Sequence, residues 1–463
     1  MTLALAPSPD WEAGLTRDKH GKVRSTLANA ITILGHDAAW LTRDTDGAPQ
    51  HRIARDAFAE RLCIVAPAPW HNHDAARGPA VGEVGTGSGE RVRLAGPLPT
   101  CEEPQAWADT DDARLSSWFE RRWSLDIPKG TANDAARVVA ERWPVHPVRN
   151  YLARLQWDGV RRIDSWLVRY MGAASSPFAL AAGQWWIVSA VARVMVPGCK
   201  ADHVLILEGG QGKRKSTGLR TLAGEQWFAD TPIEIGNKDA FLSMRGKLII
   251  ELAELDSLSR AESTRAKAFF SSPVDSYRPP YGHAAVAIPR QCVFAGTSNL
   301  GAYLRDETGG RRFWPVTCGE IDIAALRADR DQLWAEAREA YVGGAVWWPS
   351  TDGERDAAAE AAEARYSHDE WEELIAKWAN PLRRTSSGVS VGDALTGALD
   401  VPKERWTRAD QSRVASCLVR LGLVRVQRRV DGRREWRYVD PGAEPSATPV
   451  ADPPPGYSPT LGF

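Results

Sequence analysis

No apolar run in the sequence reads as long enough to span a bilayer. Its most apolar helix-like segment, residues 185–196, is about half the length required and contains Arg193. The opening Met1-Thr2-Leu3-Ala4-Leu5-Ala6-Pro7 has neither a basic start nor the apolar stretch of a secretory signal. These absences predict a soluble, intracellular, cytoplasmic protein with no membrane partner. The cysteines Cys63, Cys101, Cys199, Cys292, Cys318 and Cys417 show no C-x-x-C spacing. Neither a disulfide framework nor a zinc site is legible, and reduced, mostly buried thiols are expected. His71 and His73 lack further ligands, so Trp70-His71-Asn72-His73 reads as a solvated loop and not as a metal centre. Net charge is also missing: 58 Lys and Arg face 59 Asp and Glu. The total therefore excludes no partner, and charge has to be read locally.

What is present is an ordinary globular composition, 43% hydrophobic and 25% charged over 463 residues, enough for about two to four domains. Residues 1–104 read as a mixed region of weak periodicity that includes a glycine-rich loop at 78–96. Helical patterns follow at 107–123, 132–143 and 163–170, so residues 105–197 read as an all-α leader, its aromatic residues serving as core. From Ala201 the pattern turns to short apolar runs, residues 204–207, 248–250 and 292–295, alternating with helices. That alternation predicts an α/β core over 198–348 with buried parallel strands. A charged, alanine-rich linker helix is expected over 349–380. Residues 381–440 read as two helices, at 390–399 and 409–421, then a hairpin turning at Asp431-Gly432, which together suggest a winged-helix DNA-binding domain. The tail 441–463, rich in Pro, Ala and Ser, is expected to be disordered.

The chemistry centres on Leu205-Ile206-Leu207-Glu208-Gly209-Gly210-Gln211-Gly212-Lys213-Arg214-Lys215-Ser216-Thr217. An apolar strand meets a glycine turn and then Lys-Ser-Thr before a helix, the order a phosphate-binding loop requires, because backbone N–H groups at a helix N-terminus attract anions. Gly209, Lys215 and Ser216 match G-x-x-x-x-G-K-[ST], but Arg214 stands at the second glycine. If that position needs φ > 0, arginine costs about 1–2 kcal/mol relative to glycine. ATP and Mg²⁺ are the expected ligands, with residues 209–217 as the nucleotide-binding set and Ser216 and Glu251 as the metal set. A second strand ends in Glu251-Leu252-Ala253-Glu254-Leu255-Asp256. Glu251 is assigned to the magnesium shell and Glu254 to activating water, two roles that can be exchanged. Asn299, after the third strand, is a sensor for the attacking water. Arg311 and Arg312, behind a glycine turn, are candidates for reaching a neighbour's phosphate, one of the two being expected to pair with a local carboxylate instead.

These elements resemble the virulence-associated protein E family, whose ATPase core is similar to superfamily 3 helicases of the AAA+ class. The resemblance spans residues 105–348 and rests on an ordered set. It comprises His146-Pro147-Val148-Arg149, Trp157-Asp158-Gly159, Ala192-Arg193, Pro197-Gly198-Cys199-Lys200, the phosphate loop, Glu251 to Leu255, Arg278-Pro279-Pro280-Tyr281-Gly282, Gly296-Thr297-Ser298-Asn299 and Gly309-Gly310-Arg311-Arg312-Phe313-Trp314-Pro315. It implies a phage or mobile-element origin and a replicative helicase. It does not supply a primase, since no upstream segment shows the paired acids of a polymerase site. Unaided, residues 277–283 support only a surface turn; the resemblance makes them a DNA-tracking loop, with Arg278, Tyr281 and His283 against single-stranded DNA in a central channel.

Residues 401–440 hold 11 Lys and Arg against 5 Asp and Glu. Arg413 and Arg420 on the second helix, and Arg428, Arg429, Arg433 and Arg434 around the hairpin turn, are assigned to DNA phosphates, here of duplex. The expected function is an ATP-driven DNA helicase or translocase acting in replication as a ring-shaped homo-oligomer, a hexamer among the options. Its alternative is a DNA-binding or origin-recognition protein in which ATP controls assembly only. A small-molecule kinase is disfavoured by the basic module and the paired arginines.

Overall fold

The computed structural model describes residues 10–43, 47–70, 103–230, 238–252, 268–278, 284–299, 312–365, 370–380, 388–430 and 433–441. They fall into two compact units, Met1–Tyr366 and Ser367–Phe463.

The first unit begins with helix α1 (Leu27–His36), whose N-cap Thr26 accepts a hydrogen bond from the Asn29 N–H. A hairpin of β1 (Leu41–Arg43) and β2 (Pro49–His51) leads to the antiparallel pair β3 (Ile53–Asp56) and β4 (Arg61–Ile64). The small sheet β5-β4-β3-β6 is completed by β5 (Gln105–Ala106) and β6 (Pro144–Val145). Helices α2 (Asp109–Trp123) and α3 (Lys129–Ala140) lie between those two strands in sequence. Residues 105–145 are therefore not the all-α leader their periodicity suggests. Two-residue strands show no period of their own, and their register comes from β3 and β4 far upstream. The expected boundary at residue 104 also cuts through one core, because Trp40, Ile53 and Ile64 are buried together with Leu115, Trp118, Phe119 and Val139. Trp70 belongs to that core; His71, His73, Cys101 and the 78–96 loop lie outside the described residues.

Helix α4 (Pro147–Arg154) starts at a proline in its first turn, behind His146, whose ring nitrogen accepts from the Arg149 N–H at 3.2 Å. After α5 (Trp166–Met171) comes the long buried helix α6 (Pro177–Met195), capped by Ser176. By length and composition α6 could cross a membrane, but 72% of its apolar window is buried inside this fold. Two of its C-terminal carbonyls are held by one cation, as the negative end of a helix favours. Arg149 donates to Val194 O at 2.8 Å and Met195 O at 3.3 Å. Arg193, 1% exposed, reaches Ala201 O at 3.1 Å. Two of the sequence motifs thus have a structural duty.

The mixed α/β centre is a five-stranded, wholly parallel sheet. It comprises β7 (Val204–Glu208), β8 (Phe228–Ala229), β9 (Ile249–Leu252), β12 (Val293–Ser298) and β13 (Phe313–Thr317), in the order β13-β7-β12-β9-β8. Helix α7 (Lys215–Ala223) follows β7, and α8 (Lys238–Ser243) precedes β9. An antiparallel hairpin of β10 (Val274–Tyr277) and β11 (Val286–Pro289) stands between β9 and β12 in sequence. Side chains alternate between faces with period two. Leu205, Leu207, Ile249, Val293, Ala295 and Trp314 join a core with α6, α7 and α9 (Ile323–Val342). Val204, Ile206, Ile250, Phe294 and Phe313 join Phe269 and Phe270 on the other face. Helix α10 (Asp352–Glu363) ends this unit's regular structure.

The second unit holds α11 (Glu370–Ala379), α12 (Val391–Gly397), α13 (Arg408–Arg420) and the antiparallel pair β14 (Val424–Val430) and β15 (Arg433–Val439). Capping boxes at Ser390/Asp393 and Thr407/Asp410 start the second and third helices. The single linker helix expected over 349–380 is two helices. Ile375 of the latter is fully buried with Leu395, Val414, Leu418 and Tyr438, so α11 is core and not linker. The Asp431-Gly432 turn and the tail beyond residue 441 lie outside the described residues.

Candidate functional site

The carboxyl ends of parallel strands are where ligands of open α/β sheets bind, and Lys215, Ser216, Glu251 and Asn299 gather there; Arg312 does not, since it precedes β13 and lies beside Asp202 at the amino ends of β13 and β7. Between β7 and α7 the chain makes a turn of exposed polar residues. Gly209 at its start has φ +146°, and a Cβ there would meet the Cys318 carbonyl at 3.1 Å, so the close approach requires glycine. Gly212 follows at φ +81°. Arg214 is the N-cap of α7 at φ 63°, ψ 27°, in the left-handed region that its place in the motif reserves for glycine. Its side chain is exposed. Arg214→Gly is therefore expected to raise the unfolding free energy by about 0.5–1 kcal/mol, the relieved strain exceeding glycine's larger unfolded-state entropy. A denaturant melt reads this, and a loss of stability would show that the arginine side chain supports the loop.

Lys215 is only 7% exposed. Its ammonium donates to Gly209 O at 2.6 Å, Gly210 O at 3.1 Å and Asn299 Oδ1 at 3.1 Å. The loop after β7 and the end of β12 are thereby joined through one cation. Behind it, burial pushes the Cys318 thiol up to about 12, which keeps it neutral beside that charge.

Glu251 shows how strand parity builds a site. It lies on the same face of β9 as Ile249, the face that carries α7, and Thr297 lies on the matching face of β12 beyond Ala295. Both hydroxyls, Ser216 Oγ and Thr297 Oγ1, donate to Glu251 Oε1 at 2.7 Å. The residue is 2% exposed, and its other oxygen, Oε2, is buried without a hydrogen-bond partner among the described residues. A buried carboxylate oxygen left unpaired is costly unless a cation or donor reaches it. Oxygen donors from a hydroxyl and a carboxylate are the set a hard cation such as Mg²⁺ prefers, so the residues present fit that ion. Thr297 was not assigned from sequence; the shared parity of 249/251 and 293/295/297 is the signal that would have found it.

Glu208, at the end of β7, is a second buried carboxylate, 4% exposed. It accepts from Arg365 through Nε at 3.0 Å and Nη2 at 3.0 Å, and from Thr317 Oγ1 at 2.9 Å. This clamp fixes the strand immediately before the glycine turn to the segment after α10. Sequence reading missed it because Arg365 is 157 positions away. Arg312 has a local carboxylate: its Nε lies 3.6 Å from Asp202, and its side chain is 22% exposed. Arg311 and Glu254 lie outside the described residues. Gln211, Lys213 and Thr217 are exposed around the loop.

Beyond the sheet, Arg278 is exposed at the end of β10, where Tyr277 faces Val286 across the hairpin; Tyr281 and His283 lie outside the described residues. In the second unit Arg429 and Arg434 are exposed and Arg428 is half-buried. Arg433 lies in β15, its side chain outside the described set. Two basic assignments change. Arg420 is turned inward, its side chain 8% exposed and 3.4 Å from Glu372 of α11, so it holds that helix and does not face solvent. Arg413 lies 3.9 Å over the Trp371 ring, a packing contact within the unit.

Residues 152–367 match the family model of the virulence-associated protein E-like domain. The match starts after the His146–Arg149 motif and extends past α10, so it includes Arg365. No curated protein matches the chain. Among solved structures, the A-form apo structure of the NrS-1 C-terminal region is similar at 13% identity and a TM-score of 0.36, covering 62% of this chain and 77% of that one. The apo structure of NrS-1 C-terminal region 305–718 is similar at 12% identity and a TM-score of 0.37, covering 84% and 95%. Both likenesses are too distant to support an inference about activity.

Proposed function

The chain carries a virulence-associated protein E-like domain over residues 152–367, and from that premise we propose that it is an ATP-dependent DNA helicase or translocase of a phage or mobile element, acting in replication. The observation that supports this best is the convergence of Lys215, Ser216, Glu251, Thr297 and Asn299 at the carboxyl ends of three neighbouring parallel strands.

In this reading the Gly209–Ser216 turn is a P-loop of the AAA+ and superfamily 3 type. Its backbone N–H groups and Lys215 hold the nucleotide phosphates. Ser216 and Glu251 would hold Mg²⁺, with Thr297 fixing the carboxylate through its hydrogen bond to Oε1. The ion's part is to neutralise charge on the phosphate oxygens during transfer to water. Asn299, already hydrogen-bonded to Lys215, orients the attacking water, and Glu254 is its base. Because Arg312 is engaged with Asp202 of its own chain, the arginine offered to a neighbouring subunit's phosphate in a ring is Arg311. The hairpin of β10 and β11 presents Arg278 to single-stranded DNA in the channel. The second unit, three helices and an antiparallel ribbon, is a winged-helix module bearing Arg428, Arg429, Arg433 and Arg434 toward DNA.

Strand displacement on forked DNA, with the single-stranded arm on either polarity and with ATP or a non-hydrolysable analogue, tests the proposal. Displacement that requires hydrolysable ATP is expected. DNA binding with no ATP-dependent displacement or movement would instead favour a protein in which ATP controls assembly only.

A further inference from the structure

The ribbon of the second unit has a face that the phosphate assignment does not explain. Cross-strand register sets Arg425 opposite Tyr438, Gln427 opposite Trp436 and Arg429 opposite Arg434. Directly opposed residues share a face of an antiparallel pair, as do residues two apart along a strand. One end of this face is anchored: Tyr438 is 5% exposed and packs in the unit's core. The rest is open. Trp436 is 52% exposed, and Arg429 and Arg434 are exposed beyond it. The Arg425 guanidinium lies 4.3 Å from the Trp436 ring centroid, which holds the indole in place while leaving half of the residue in solvent.

An indole left in water forgoes burial. The ligand class that covers it beside exposed arginines is a polyanion whose backbone reaches Arg429 and Arg434 and which offers flat, unpaired rings to Trp436. A duplex can contact the arginines but keeps its bases stacked inside. We propose that this face binds single-stranded DNA, with Trp436 stacking on an unpaired base and Arg429 and Arg434 holding the adjoining phosphates. The inference rests on the DNA reading of the second unit and changes it, since the earlier assignment placed duplex there.

The test uses the full chain with fluorescently labelled oligothymidylate and with a blunt duplex of equal length. Trp436→Ala is expected to weaken oligothymidylate binding on the order of tenfold, with an unchanged salt slope and unchanged duplex binding, whereas Trp436→Phe restores most of the affinity. The double change Arg429→Gln and Arg434→Gln is expected to lower the salt slope for oligothymidylate by about 1–2. Equal losses for duplex and single strand in Trp436→Ala, or no loss while the wild type binds, would overturn the stacking proposal alone. A wild-type chain that binds neither DNA would overturn the underlying reading as well. An unchanged melting curve for Trp436→Ala, expected for a residue this exposed, separates lost stacking from lost folding.

Discussion

Replacing Glu251 by glutamine is expected to reduce Mg²⁺-dependent ATP turnover by at least about 100-fold while ATP binding persists. Glutamine keeps the shape, and its amide oxygen can still accept from Ser216 and Thr297. The negative charge and the open Oε2 acceptor are lost, and both are needed to hold a divalent cation. The same change removes a charge that is 2% exposed and has one oxygen without a hydrogen-bond partner among the described residues. The variant should therefore melt at the same temperature as the wild type or higher, because a buried uncompensated carboxylate is destabilising. Phosphate release across a Mg²⁺ titration, paired with a melting curve, reads both effects. A folded variant with undiminished turnover would remove Glu251 from the metal site, and a strongly destabilised one would make it a structural residue.

Lys215→Ala is expected to weaken ATP binding by about 10- to 100-fold. The ammonium is the one group joining the glycine turn to Asn299 among the described contacts of that turn, so its loss removes the phosphate ligand and the link to β12 together. Arginine should not restore binding. Its planar guanidinium is larger than the ammonium that fits a site only 7% exposed. Displacement of a fluorescent ADP analogue measures the change. Equal affinity in both proteins would place the nucleotide elsewhere.

Local signals in the sequence were enough for the strand, glycine turn and helix around Lys215, because each is written in consecutive residues. The pairing of residues 424–430 with 433–439 was readable for the same reason. The motif raises a positive φ at Arg214 as a condition, and the structure has that residue at 63°. Contacts assembled over long separations were not legible. Thr297 meets Glu251 across 46 positions and Arg365 meets Glu208 across 157. The two-residue strands β5 and β6 carry no period, and their pairing with β4 and β3 is decided by a shared core. Arg420 looked like a solvent-facing cation on a basic helix, but its fate depended on Glu372 arriving from another helix. A charge count sees neither partner nor face. Trp436 was visible as a strand residue, and only the register showed which arginines share its side of the ribbon.

The central claim is that the loop from Gly209 to Ser216, with Arg214 in place of glycine, serves a working ATPase driven by DNA. The most direct test is steady-state phosphate release by the full chain with Mg²⁺ and ATP, with and without single-stranded DNA, alongside Lys215→Ala. Turnover above background that rises with DNA in the wild type, and falls to background in the variant, is the predicted result. Background rates in both proteins, with DNA present, would contradict it.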